Sequence, residues 1–169
     1  MITIRHATLQ DANSLRNLAV KTFVSAYEQY NTPADMAKYL SENFSEEKII
    51  SEISDPDVLL LLAVSEGELV GYTKLLFKTS LKVHAHKPLE IARLYTHTDL
   101  IGAGIGKRLV NEIFHYAMKH KFDLVCLGVW KNNPGAIRFY EREGFVIAGT
   151  TPFLFGNDLQ EDFIMIKKA

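Results

Sequence analysis

Apolar residues at Leu15, Leu18, Ala19, Phe23, Ala26 and Tyr27, with polar residues between them, follow the three-and-four spacing of a helix that buries one face. Thr8 followed by Asp11 resembles a capping box at its entrance. The logic recurs at Thr32, Pro33 and Asp35, which open a second helix carrying Met36, Tyr39 and Leu40 on one face. "SEEKIISEIS" then reads as a third, short helix stopped by "DPD". A short strand, "TIR", precedes these helices. Beyond them the pattern turns continuous: "VLLLLAVSEGELVGYTKLLF" is two apolar runs about Glu66 and Gly67, a hairpin that needs cover on both faces. "LEIARLYT" is another strand, and Ile105, Leu109, Ile113, Phe114 and Ala117 mark a helix ending at "KHK". "DLVCLGVW" is the next strand, Asn133 and Pro134 open a short helix that Gly144 stops, and "FVIAG" and "DFIMIKK" close the sheet. The reading is an α/β (mixed α+β) chain whose sheet is sandwiched between helices.

Length and composition narrow this further. At 169 residues and 47% hydrophobic content the chain can bury one good core, so residues 1–169 are expected to form a single domain. A formal charge of -1 offers no general field for nucleic acid or an anionic membrane, and both are disfavoured as partners. "MITIRHATLQDANSL" has no run of the kind a signal peptide needs, nor do about eighteen apolar residues run together anywhere, so a cytoplasmic protein is expected. Cys126 is the one cysteine and sits in an apolar strand, which favours a buried, inert thiol. His84 and His86 flank Ala85 without an obvious third ligand, and no metal site is expected. His97, close to the "LEIARLYT" strand, is an outside candidate for proton relay.

The stretch "YTHTDLIGAGIGKRLV" concentrates Gly102, Gly104 and Gly106 at the start of a helix. A dinucleotide fingerprint begun at Gly102 needs glycine where Lys107 stands. A P-loop counted back from Gly106 and Lys107 needs glycine at Ile101 and a hydroxyl at Arg108. Both patterns fail, which removes support for nucleotide chemistry. Two readings stay open: a turn built for tight strand-to-helix packing, or an anion cradle of main-chain N–H groups at a helix N-terminus, flanked by Lys107 and Arg108.

"RLYTHTDLIGAGIGKRLV" resembles the acyl-CoA binding motif of the GNAT N-acetyltransferases, R/Q-x-x-G-x-G/A, and "NNPGAIRFYEREGF" resembles their later N-x-x-A-x-x-F-Y-x-x-x-G-F segment. The two motifs occur in the family's order, and the resemblance covers the whole chain. It implies the GNAT fold, a central mixed, mostly antiparallel sheet covered by helices on both faces. It also implies transfer of acetyl from acetyl-CoA to a primary amine by direct attack in a ternary complex. On this resemblance Leu94, Tyr95 and Thr96 hold the pantetheine arm. Gly102, Ala103, Gly104, Ile105, Gly106 and Lys107 hold the diphosphate, with Asn133, Ala136, Tyr140 and Arg142 completing the cofactor site. Tyr140 would protonate the departing thiolate, the plain alternative being a packing tyrosine. Glu90 is the candidate base for the substrate ammonium, the plain alternative being a surface carboxylate. Ile101 departs from the pattern, since Arg or Gln usually stands there, so main-chain donors and nearby cations must carry the diphosphate.

The front segment "TFVSAYEQYNTPADMAKYLSENF" and the tail "FLFGNDLQEDFIM" look closest to the PaiA-like polyamine N-acetyltransferase branch. A polyamine such as spermidine or spermine prefers carboxylates and aromatic faces. Tyr27, Tyr30 and Asp35, together with Glu90, are the expected substrate contacts, with Tyr39, Glu42, Glu46 and Glu47 as further wall. Other amines stay open (an aminoglycoside, an amino acid, a peptide amine), as does a non-catalytic acyl-CoA-binding sensor. Apolar edge strands could pair in a homodimer.

Overall fold

The chain's helix and strand signals are realised in a computed structural model that describes residues 1–169. In chain order these are β1 (Ile2–His6), α1 (Ala12–Tyr27), α2 (Pro33–Asn43), α3 (Glu46–Ser54), β2 (Val58–Ser65) and β3 (Glu68–Leu76). Then follow β4 (Pro88–Thr96), α4 (Ile105–Lys119), β5 (Leu124–Trp130), α5 (Pro134–Arg142), β6 (Val146–Phe155) and β7 (Asp158–Lys168). Thr32 and Ser45 cap α2 and α3 by accepting from the N–H groups of Asp35 and Lys48. The predicted capping box serves a different end: Asp11 accepts from the Thr8 N–H at 2.8 Å and from the Arg5 guanidinium, closing a single 3-10 turn (Leu9–Asp11) ahead of α1. The closing strands are also longer than their apolar cores. β6 and β7 pair along their whole length as a hairpin, and Pro152 is tolerated because β6 is an edge strand.

The seven strands are ordered β1-β2-β3-β4-β5-β7-β6, and every pairing is antiparallel except β4 with β5. Helices cover both faces, as the unbroken hydrophobicity of β2 and β3 requires. Leu15, Leu62, Tyr72 and Phe155 belong to the core under α1, α2 and α3, while Leu89, Ile91, Ile113, Val125 and Leu127 belong to the core under α4 and α5.

Two irregularities in β4 position the site. Lys74 pairs with Arg93 and Leu75 with Ile91, which leaves Ala92 as an extra residue in a β-bulge. The bulge reverses the side-chain alternation. Leu89 and Ile91 point to the α4–α5 core, yet beyond the bulge Leu94 does so, and Tyr95 turns to the α1 side. In addition, β4 and β5 pair only through residues 88–91 with 124–127, after which the strands separate.

A buried ion cluster sits beside the bulge. Glu52 of α3, 4% exposed, accepts from Lys74 Nζ at 2.6 Å and from Arg93 at 3.2 Å. Arg93 also donates to the Asn43 carbonyl and lies 4.4 Å over the Phe44 ring. The cluster ties α3 to β3 and β4, and removing its single anion strands two buried cations. Glu52→Ala should therefore lower the free energy of unfolding by about 3–5 kcal/mol in urea denaturation.

Candidate active site

Where β4 and β5 part, a cleft of about 810 Å³ runs from the α1 side of the sheet across β4 to the N-termini of α4 and α5. A second cavity of about 140 Å³ opens between the separated strands. The two share Leu94, Tyr95, Trp130, Asn133, Ala136 and Tyr140 as lining, so they form one branched site with Tyr140 at its junction.

The glycine loop forms one end of the cleft. Gly102 and Gly104 have φ of +90° and +82°, and a Cβ on either would meet open space, so glycine is needed there for its left-handed backbone. Gly104 is the N-cap of α4. The N–H groups of Gly104, Ile105, Gly106 and Lys107 reach no acceptor within the protein, the first bond of the helix being Arg108 N–H to the Gly104 carbonyl. These donors, at the positive end of the helix dipole, are free to donate to an anion. Gly106 answers to the packing reading instead: its Cβ would lie 3.2 Å from the Phe139 ring of α5. The packing reading accounts for Gly106, while the free N–H groups leave the anion-cradle reading open for the rest of the loop.

Along β4, Leu94, Tyr95 and Thr96 pair with β3 on one side and have no strand on the side facing β5. That edge offers main-chain groups to a ligand. Asn133 caps α5, its Oδ1 accepting from the Ala136 N–H at 3.2 Å. The Tyr140 hydroxyl has no partner in the protein, and burial, followed by the nearby Tyr27, raises its pKa above the usual phenol value. It therefore carries its proton at neutral pH.

Of the expected cofactor contacts, Leu94, Tyr95, Thr96, Gly102, Gly104, Ile105, Gly106, Lys107, Asn133, Ala136, Tyr140 and Arg142 all line the large cleft; Ala103 does not. Of the expected substrate contacts, Tyr27 lines the small cavity, whereas Tyr30 lines the large cleft and stands edge-on to Trp130 at 5.1 Å. Two carboxylates lie elsewhere. Glu90 lines neither cavity; it precedes the bulge, in the paired part of β4, where it accepts from the Thr79 hydroxyl. Burial raises its pKa, an effect opposed by Thr79 and Lys74. Asp35 accepts from the Asn157 N–H at 2.8 Å, which fastens α2 to the β6–β7 turn outside the cavities. Glu42, Glu46, Glu47 and His97 also lie outside both cavities, His97 being 3.2 Å from Lys21 Nζ. Cys126 is fully buried with its thiol pushed up to about 12, chiefly by burial, which agrees with an inert role.

Sequence reasoning missed Trp130, which borders both cavities, and Asp162 of β7, which lines the small one. Asp162 lies in β7 between exposed Glu161 and half-buried Phe163 and is itself only 9% exposed, as is typical of an inward position. An acidic residue at an inward position of an apolar strand is the signal that could have found it.

The chain is similar to known proteins over most of its length. The profile described as "Acetyltransferase (GNAT) family" matches residues 13–145. A spermidine N(1)-acetyltransferase of Thermoplasma acidophilum is 30% identical over 99% of this chain and 97% of its own. An uncharacterized N-acetyltransferase of Lactobacillus delbrueckii is 31% identical over 88% of this chain and 86% of its own. Among solved structures, the PaiA N-acetyltransferase of Thermoplasma acidophilum in complex with coenzyme A superposes with a TM-score of 0.83 at 25% identity, covering 100% of this chain and 99% of the other. No helix of this protein is long and apolar enough to cross a membrane. The cleft, its cradle of free amides and these relatives converge: the chain belongs to the GNAT family and is an acetyl-CoA-dependent acetyltransferase.

Proposed function

We propose that the protein acetylates a primary amine of a polyamine, with acetyl-CoA held in the large cleft and the amine end in the aromatic cavity. The observation that carries this reading is the branching of the site at Tyr140, with free amide donors at one end and a carboxylate among aromatic rings at the other. A pyrophosphate suits the N–H groups of Gly104, Ile105, Gly106 and Lys107, with the Lys107 ammonium nearby and no polar side chain at the 75% exposed Ile101. The pantetheine amides suit the free edge of β4 at Leu94, Tyr95 and Thr96. Acetyl-CoA supplies an activated acyl group as a thioester. The chain's task is then to orient an amine, remove its proton and return one to sulphur. Tyr140, a protonated phenol at the junction of the two cavities, serves the last of these.

The polyamine preference rests on two supports. Relatives from Thermoplasma acidophilum and Bacillus subtilis bear the names spermidine and spermine/spermidine N(1)-acetyltransferase, the latter 30% identical over 52% of this chain. Within this protein, Tyr27, Tyr39, Trp130 and Phe155 line the small cavity and present ring faces and edges that attract an alkylammonium ion. Thiol release from acetyl-CoA with a panel of amines tests the reading. Spermidine and spermine should give the highest kcat/KM, and a higher value for an aminoglycoside or an amino acid would reject the polyamine assignment.

Two substitutions probe the chemistry. Tyr140→Phe should lower kcat by about a hundredfold while leaving the acetyl-CoA Kd within about twofold, as calorimetry would record. Ile101→Arg should tighten acetyl-CoA about fivefold by placing a cation beside the amide cradle.

A further inference from the structure

We infer that Asp162, and not Glu90, is the carboxylate that receives the acceptor's ammonium group and takes its proton. The inference rests on the acetyltransfer reading above and names the residue that reading lacks.

Side-chain alternation in β7 sends Phe163 and Met165 into the α4–α5 core and turns Asp162 to the opposite side of the sheet, into the small cavity. Trp130 of β5 is its pairing partner. Gly128 of the same strand leaves room for the carboxylate, since a Cβ there would stand 3.3 Å from Asp162 Oδ2. The carboxylate accepts no hydrogen bond from the protein, and its Oδ1 is fully buried without a partner. Such a group is costly to keep.

No cation of the protein answers this charge. The titratable and charged groups lining the same cavity are Tyr27 of α1, Tyr39 of α2, Arg93 and Tyr95 of β4, and Tyr140 of α5. Burial raises the pKa of all four phenols, so they stay neutral. The Arg93 guanidinium is committed to Glu52 and the Asn43 carbonyl. A buried carboxylate left open among aromatic rings is complementary to a cation that arrives with the ligand. The cavity, about 140 Å³, admits one aminoalkyl arm, and the rest of a longer amine must lie in the main cleft.

The group is also suited to moving a proton. Burial alone lifts Asp162 from the usual carboxylate value of 3.8 to about 6, so it is ionised at neutral pH yet far more basic than an exposed carboxylate. An ammonium nitrogen gives up two protons in forming an amide. The first passes to Asp162 and on to solvent, freeing the lone pair that forms the C–N bond as the C–S bond breaks. The second replaces the proton that Tyr140 gives to sulphur. Products are the N-acetylamine, coenzyme A and one released proton.

The test is Asp162→Asn, assayed by thiol release with whichever amine the unaltered protein uses best, beside Glu90→Gln. Asp162→Asn should lower kcat/KM about a hundredfold or more at pH 7 and abolish the limb of the pH profile that falls below about pH 6. Glu90→Gln should stay within about threefold of the unaltered protein. Acetyl-CoA affinity should be unchanged in both. Thermal denaturation supplies a second readout. A carboxyl whose folded pKa is raised costs stability in full above about pH 6 and not at all below about pH 4, so Asp162→Asn should raise Tm at pH 7, with the gain vanishing at pH 4. Near-normal turnover with an unshifted pH profile, or a Tm lowered at pH 7, would overturn the assignment of Asp162 alone. Failure of every amine to support thiol release by the unaltered protein would overturn it together with the acetyltransfer reading.

Discussion

Hydrogen bonding between β4 and β5 stops at the Ile91–Leu127 pair, and the working parts of the molecule follow from that interruption. Parallel strands normally continue until a helix or loop removes them, because unpaired backbone groups in a sheet need partners. Here the bulge at Ala92 turns β4 just after the last paired residue. The freed edge at Leu94, Tyr95 and Thr96 lacks a strand on one side and becomes a place for an extended ligand to pair. The opposite wall at Gly128 and Trp130 is bridged behind by β7, which carries Asp162 into the gap.

Two buried acids on the α1 side of the sheet, Glu52 of α3 and Asp162 of β7, are treated in opposite ways. Glu52 is satisfied by Lys74 and Arg93, and that cluster fastens α3 to the strands beside the bulge. Asp162 is satisfied by nothing in the chain. Burial penalises both, but only Glu52 recovers the cost from protein partners. The contrast separates an acid that fastens a helix to the sheet from one left open to the cavity. The aromatic stack of Phe23, Tyr39 and Phe155, with ring planes within 7° of parallel, stiffens the cavity around the second acid.

Periodicity and capping residues made the helices and strands legible because local chemistry decides them. Gly144, with φ of +92°, ends α5 where its glycine predicts, and the hairpin turns at Glu66 and Gly67 in left-handed conformations. The glycine turn was legible as well, since two of its three glycines are demanded by backbone angle. What stayed hidden depends on register. Glu90 looked well placed because it precedes Leu94 and Tyr95 on one strand, yet the bulge and the end of pairing lie between them. Asp35 sits in the segment expected to line the substrate site, but a turn 122 residues away claims its carboxylate. Asp162 lies in a tail whose pairing to β5 no local pattern reveals.

We propose that free amides at the start of α4, together with the open edge of β4, hold the acetyl donor. Titration of ¹⁵N-labelled protein with acetyl-CoA, followed in amide spectra, decides the matter. Saturable shifts should concentrate at Gly104, Ile105, Gly106 and Lys107 and at Leu94, Tyr95 and Thr96, all of which border the cleft. Saturable binding that leaves both groups of amides unmoved would refute this placement of the donor.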